Sequence, residues 1–240
     1  MTMMFYILLK RGDQMNFKKI FPILVLIALI FGCATAEKKQ NENGELGEAE
    51  LSYLADESQH RTFLNSVESE DAVLRKVSKK ALINSEGYDK LEKLMARELE
   101  SGKGVGIAAP QVGVNRRLII VQRLDKEDHP FEFYYNPEIV KRTGEQKEGW
   151  EGCLSIPAGF GKVMRWYDID LEYDKLKDDT VVREHEKIQG FTAVIFQHEI
   201  DHLDGVLFID KKSDEPLMPK EEYYEMRRKE KEAASKSEAE

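Results

Sequence analysis

Cysteine is nearly absent from this chain: there are two in 240 residues, Cys33 and Cys153. A disulfide scaffold needs more, and the unrelated contexts of these two argue against pairing, so stability must come from a packed core. A sustained basic stretch is also missing. The formal net charge is −9, with 34% of residues charged, which argues against nucleic acid as a main partner. Long apolar runs are missing too. The stretch Ile20 to Phe31 falls short of the roughly 20 apolar residues of a comfortable transmembrane helix. There is no internal repeat, and no histidine follows His202. What remains has the size of one ordinary domain with appendages.

Residues 1–32 read as a signal segment with an upstream extension. Lys18 and Lys19 precede the apolar run, which closes on Gly32-Cys33-Ala34, giving a basic region, a short apolar region and a small residue before the break. Ile30-Phe31-Gly32-Cys33 resembles a bacterial lipobox, whose cysteine is lipidated and becomes N-terminal after cleavage. Met15 is then a natural start, with residues 1–14 an over-extension of the reading frame. On this reading Cys33 is the lipidation site of an exported, membrane-anchored lipoprotein. If the extension is not a working signal, the protein is cytoplasmic. Residues 33–60, polar and Glu-rich, read as a flexible linker. Residues 61–212 make the globular domain. Residues 213–240 form a charged C-terminal tail, with an amphipathic helix expected over 219–230 and disorder over the last ten.

Within the globular part, apolar residues at 91, 94, 95 and 99 predict a helix over Tyr88 to Leu99, stopped by Gly102 and Gly104. Leu118 to Val121 reads as a short buried strand. Phe133-Tyr134-Tyr135-Asn136-Pro137 reads as a strand ending at the proline. From Asp168 to Tyr173 the pattern alternates, with Ile169, Leu171 and Tyr173 on one face. Lys177-Asp178-Asp179 reads as a turn into a return strand at Val181-Val182. Gly190 to Leu203 reads as a helix with Phe191, Val194, Ile195, His198 and His202 on one face, closed by Gly205.

That last helix carries Gln197-His198-Glu199-Ile200-Asp201-His202. Residues four apart on a helix lie one turn apart on the same face, so both imidazoles can meet one metal ion. Glu199, beside the first, is placed to handle protons at a metal-bound water. Two buried, hydrogen-bonded core histidines are the bland alternative. A third ligand must come from elsewhere. Glu221, Glu222 and Glu225 lie where a thermolysin-like site would put one, but in a charged segment with no apolar periodicity to bury them. His129 and His185 sit in polar surroundings. Cys153, in Glu151-Gly152-Cys153-Leu154-Ser155, remains. A Cys-His-His set leaves a fourth position open, which distinguishes catalytic from structural sites.

Three segments together resemble the peptide deformylase family: Gly104-Val105-Gly106-Ile107-Ala108-Ala109-Pro110-Gln111, Glu151-Gly152-Cys153-Leu154-Ser155, and Gln197-His198-Glu199-Ile200-Asp201-His202-Leu203-Asp204-Gly205. Val73-Leu74-Arg75-Lys76-Val77-Ser78 is similar to the family's short N-terminal signature. The resemblance covers about residues 70–212. It implies an α+β fold, with antiparallel β-sheets around a central helix carrying the two histidines, and makes 61–212 the catalytic domain. The implied activity is metal-dependent hydrolysis of the formyl group from N-terminal N-formylmethionine, releasing formate. The ion is held by Cys153, His198 and His202. It is usually Fe2+ in the family, with Zn2+, Ni2+ or Co2+ able to replace it. The expected partner is an N-formylmethionyl polypeptide, and the expected state a monomer.

The resemblance also assigns roles. Glu199 takes a proton from water and returns it to the leaving amine. The Gln111 side-chain amide and the Leu154 backbone N–H stabilise the tetrahedral oxyanion. Val105, Phe191, Val194 and Ile195 line the methionine pocket, and Gly106 lets the backbone approach the peptide. Glu151 and Gln197 orient the ligand loop and the histidine helix. One departure stands out. Many members carry an arginine shortly after the second motif that contacts the peptide backbone, and here Phe160 takes that place, with Arg165 later as a structural arginine. Two other readings compete: a thermolysin-like zinc metalloprotease, in which Cys153 is dispensable, and a catalytically silent metal-binding surface lipoprotein.

Overall fold

The computed structural model describes residues 43–56 and 73–237. The expected signal segment, Cys33 and residues 61–72 lie outside the described residues. Among those described, no helix is long and apolar enough to cross a membrane.

The chain runs from helix α1 (Glu48–Ala55) through helix α2 (Tyr88–Gly102) into a five-stranded antiparallel sheet. Its strands are β1 (Gly106–Ala108), β2 (Leu118–Gln122), β3 (Phe131–Cys153), β4 (Ile156–Lys177) and β5 (Thr180–Gln189), paired in chain order. Helix α3 (Gly190–Leu203) and helix α4 (Lys220–Ser237) follow. The class is α+β, as expected.

Two cores form on α2 and α3. Leu91, Leu94, Met95 and Leu99 pack α2 against Ile107, Val112 and Leu118. Phe196, Ile200 and Leu203 pack α3 against Ile119, Val121, Ile169 and Leu171. Each such side chain contributes roughly 1.5–3 kcal/mol when fully buried. Ile169, Leu171 and Tyr173 do share the inward face of β4. The stop of α2 differs in detail: the left-handed residue is Lys103, between the two glycines, and its N–H reaches the Leu99 and Glu100 carbonyls.

Strands β3 and β4 form one long hairpin of 23 and 22 residues. Such length survives because register shifts interrupt it at four places, and each bulge bends the ribbon. The first shift explains why β3 does not end at Pro137 as expected. Asn136 turns through φ 48°, and pairing resumes at Glu138 after the residue that lacks an N–H. The hairpin closes on Cys153 paired with Ile156, which leaves a two-residue turn, Leu154–Ser155, at its tip. At the far end Asp178 and Asp179 both have positive φ, the geometry of a tight hairpin turn.

The expected linker is corrected, and the expected C-terminal tail in part. Residues 43–56, read as flexible linker, dock onto the domain. Leu46 and Leu54 enter the α2 core, the Tyr53 hydroxyl donates to the Val112 carbonyl at 2.8 Å, and Glu50 pairs with the fully buried Arg116. A polar composition hid this, because the stabilising partner of Glu50 lies far along the chain. The helix expected over 219–230 forms as α4, while the disorder expected over the last ten residues is corrected for 231–237. Ser213 N–H donates to the Lys162 carbonyl, Phe160 and Met218 exchange backbone hydrogen bonds of 2.9 and 2.7 Å, and α4 continues through residues 231–237.

Candidate metal centre

Helix α3 presents His198 and His202 one turn apart, and the hairpin tip brings Cys153 to them. The ligand atoms of these three lie within 4.8 Å of one another. Cys153 Sγ is 3.3 Å from His202 Nε2. Thiolate and imidazole ligands on one tetrahedral ion sit about 3.5 Å apart, given metal–sulfur and metal–nitrogen bonds of roughly 2.3 and 2.0 Å. The donor set therefore fits a borderline divalent cation.

The surroundings orient these ligands. His198 Nδ1 lies 2.9 Å from Glu151 Oε2, which leaves Nε2 to face Cys153 and His202. Its ring lies over Phe208, 6.2 Å away and 27° from parallel. Glu151 is in turn held by Arg165, whose Nε and Nη2 donate to its two oxygens at 2.7 and 3.0 Å. The same guanidinium donates to Asp201 at 2.6 Å, tying the hairpin to the histidine helix. Burial would raise the Glu151 carboxyl, but Arg165 and His198 outweigh it and hold it at about 2. Burial pushes His202 well below the ordinary imidazole range, so it stays neutral, the ligating form. His198 is raised despite burial, because Cys153 and Glu151 favour positive charge at it. A divalent cation satisfies the same preference.

Glu199 is buried beside the ligands at 4% exposure, and its Oε2 has no hydrogen-bond partner among the described residues. Burial pushes its carboxyl up to about 7, with Glu151 adding to the rise and His198 and Arg165 opposing it. Gln111 is buried as well, not a surface-loop residue. Ala108 N–H donates to its Oε1 at 2.8 Å, which turns the amide NH2 toward Cys153 Sγ at 3.5 Å and Ser155 Oγ at 3.3 Å.

Gln111, Glu151, Cys153, His198 and Glu199 line one cavity of about 490 Å³. Val105, Gly106, Phe191, Val194, Ile195 and Leu154 border it too, so the residues expected to touch substrate do come together. Val105 and Phe191 are 38% and 50% exposed there, apolar surface left open to a ligand. Gln197 faces away from the cavity. It braces α3 by donating to the Trp166 carbonyl at 2.7 Å and accepting from Trp166 N–H at 3.2 Å. Glu225 is exposed on α4 and paired with Arg228 and Lys229, not with the histidines.

A family model described as polypeptide deformylase matches residues 64–216. The chain belongs to the polypeptide deformylase family. Its relatives include a peptide deformylase of Acetivibrio thermocellus, 44% identical over 148 residues, 60% of this chain and 80% of that protein. Among solved structures, the peptide deformylase of Thermotoga maritima matches with a TM-score of 0.54 at 33% identity, covering 64% of this chain and 97% of that one. A Met-Ala-Ser-bound class I type b peptide deformylase from Acinetobacter baumannii matches with a TM-score of 0.53 at 32% identity, covering 62% and 98%. Deformylases are metal-dependent hydrolases of the N-terminal formyl group, and the Cys-His-His set is this chain's candidate for the metal.

Several contributors to this deformylase site are not evident from the sequence. Arg165 was expected to be structural; it is also the clamp on Glu151. Trp150, Lys220, Tyr223 and Tyr224 line the cavity and were not anticipated. The adjacent tyrosines near the start of a charged helix were the available signal, since so charged a segment gives them little apolar company of its own.

Gly106 gives this deformylase site a sharp test. A Cβ built there falls 2.5 Å from Glu199 Oε1 and 2.9 Å from its Cγ and Cδ. Gly106→Ala must displace the Glu199 carboxylate. Since an error of about 1 Å can cost roughly 100-fold, kcat for formate release should drop by about that factor with metal content unchanged. A variant as fast as wild type would show that Glu199 need not stay against β1.

Proposed function

We propose that this chain hydrolyses the formyl group from N-formylmethionyl peptides at the Cys153, His198 and His202 centre. The observation that carries the reading is the company those three keep: a buried carboxylate whose Oε2 has no partner among the described residues, and an oriented amide donor facing the same cavity. Ferrous iron is the proposed ion. Support comes from the family likeness and from a thiolate-imidazole set that suits several borderline divalent metals. When bound, such an ion would supply Lewis acidity to activate water.

The residues do the rest. Glu199, with its carboxyl raised to about 7, is poised to accept a proton from the attacking water and return it to the departing amine near neutral pH. The Gln111 amide, fixed by Ala108, aims its donors at the place where the formyl oxygen gains charge, and the Leu154 N–H at the hairpin tip is the second proposed donor. Val105, Phe191, Val194 and Ile195 offer the methionine side chain an apolar wall. The Met-Ala-Ser complex of the Acinetobacter relative supports a peptide with N-terminal methionine as the ligand class.

The decisive measurement is formate release from formyl-Met-Ala-Ser by protein loaded with ferrous iron or nickel. Wild type should release formate, and Cys153→Ala should lose its one equivalent of metal together with activity. Absence of formate from wild type would end the deformylase reading, and retention of metal by Cys153→Ala would end the ligand assignment.

We also propose that residues 1–32 are a signal segment with an upstream extension and that Cys33 is the lipidated residue of an exported lipoprotein, on the strength of the Lys18-Lys19 pair, the apolar run and Gly32-Cys33. Labelled fatty acid should enter the full chain and vanish in Cys33→Ala. Recovery of unlabelled wild type in the soluble cytoplasmic fraction would refute it.

A further inference from the structure

Helix α4 lies wholly beyond the family match at 64–216, yet it builds part of the cavity that holds Cys153, His198 and Glu199. The backbone bridge between Phe160 and Met218 delivers its first turn to that place. There the Tyr223 ring stacks on Phe160, with centroids 3.8 Å apart and planes within 16°. Trp150 meets Tyr223 edge-on at 6.0 Å, and Tyr224 meets Phe160 edge-on at 5.8 Å. All four rings border the cavity, and Tyr224 keeps 60% of its surface exposed.

Resting on the deformylase reading, we propose that the Phe160–Tyr223 stack is a specificity-determining shelf for the side chain that follows formyl-methionine. Its ligand class is an aromatic or large apolar residue. Val194 and Ile195 come from α3, and Val105 from the approach to β1; these are a different wall from the one α4 supplies. A peptide whose methionine occupies the first wall must carry its next residue outward, and α4 and the β4 residue Phe160 supply the aromatic surface on that path. Aromatic faces hold apolar and aromatic groups without needing a charged partner. Lys220, half-buried in the same rim, offers the contrasting chemistry, a cation for an acidic side chain.

The test compares formyl-Met-Phe-Ser, formyl-Met-Ala-Ser and formyl-Met-Asp-Ser on the metal-loaded full chain. It adds calorimetric binding of the product peptides Met-Phe-Ser and Met-Ala-Ser. Wild type should prefer the phenylalanine peptide over the alanine peptide by roughly tenfold in kcat/KM, with a matching difference in binding. Tyr223→Ala should bring that ratio close to one. Phe160→Leu, which keeps apolar bulk but removes the other face of the stack, should lower it as well, so the idea stays testable if one variant folds poorly. Equal use of phenylalanine and alanine peptides by wild type, an unchanged ratio in both variants, or a preference for the aspartate peptide would overturn the shelf. No formate from any of the three would instead count against the deformylase reading.

Discussion

Glu199→Gln is expected to lower kcat for formate release by about 100- to 10,000-fold, the range in which a positioned general acid–base works. The substitution preserves shape, so the tight packing against Gly106 is kept and only proton exchange is lost. The native carboxyl is suited to the exchange because burial brings it up to about 7, where both protonation states are populated near neutrality. Its Oε2 has no partner among the described residues, so no existing hydrogen bond must break before it acts. The metal should remain, because Cys153, His198 and His202 supply the donors. Metal stoichiometry and steady-state kinetics read the two quantities separately. A kcat within tenfold of wild type would place the proton transfer on another group, and loss of metal would make Glu199 a ligand.

Arg165→Met should cost about 3–5 kcal/mol of stability, the penalty for leaving a buried charge without its partner. Arg165 is 3% exposed and Glu151 is 7% exposed. Their bidentate pair, together with His198, keeps Glu151 ionised, and a third bond ties Arg165 to Asp201. Without the guanidinium, the buried carboxylate must protonate or draw in water, and its hold on His198 Nδ1 weakens. Orienting contacts of this kind are worth roughly 10- to 100-fold in metal affinity. The expected results are therefore a fall in Tm on the order of 10 °C and faster metal loss to a competing chelator. Adding Glu151→Gln to the variant should restore part of the stability, since the uncompensated charge is then gone, but not the metal affinity. A single variant within about 1 kcal/mol of wild type would show that the clamp is not what fixes the hairpin to α3.

Much of this was legible locally. The four-residue spacing of His198 and His202, the two-residue alternation of Ile169, Leu171 and Tyr173, and the closing glycine at 205, found at φ 73°, are consequences of helix and strand periods. Elimination among the candidate third ligands left Cys153, and motif likeness supplied Gln111 and Leu154 as companions. The strand through Pro137 was misread because a bulge absorbs the missing N–H, and that bulge depends on the partner strand. Helix α1 was misread because its stabilising groups, Arg116 and the Val112 carbonyl, are remote in sequence. The aromatic face of α4 was hidden for the same reason: Tyr223 reads as one residue in a charged helix until Phe160 lies beneath it.

The sequence by itself determined which groups could ligate, exchange a proton or donate to an oxyanion, because residue type and short-range period are local properties. Only the tertiary structure decided that Cys153 comes within 3.3 Å of a histidine 49 positions away, that Arg165 locks Glu151, and that burial lifts Glu199 to about 7. Distance across a fold and exclusion of water are set by all the packed elements together, so no window of the chain contains them.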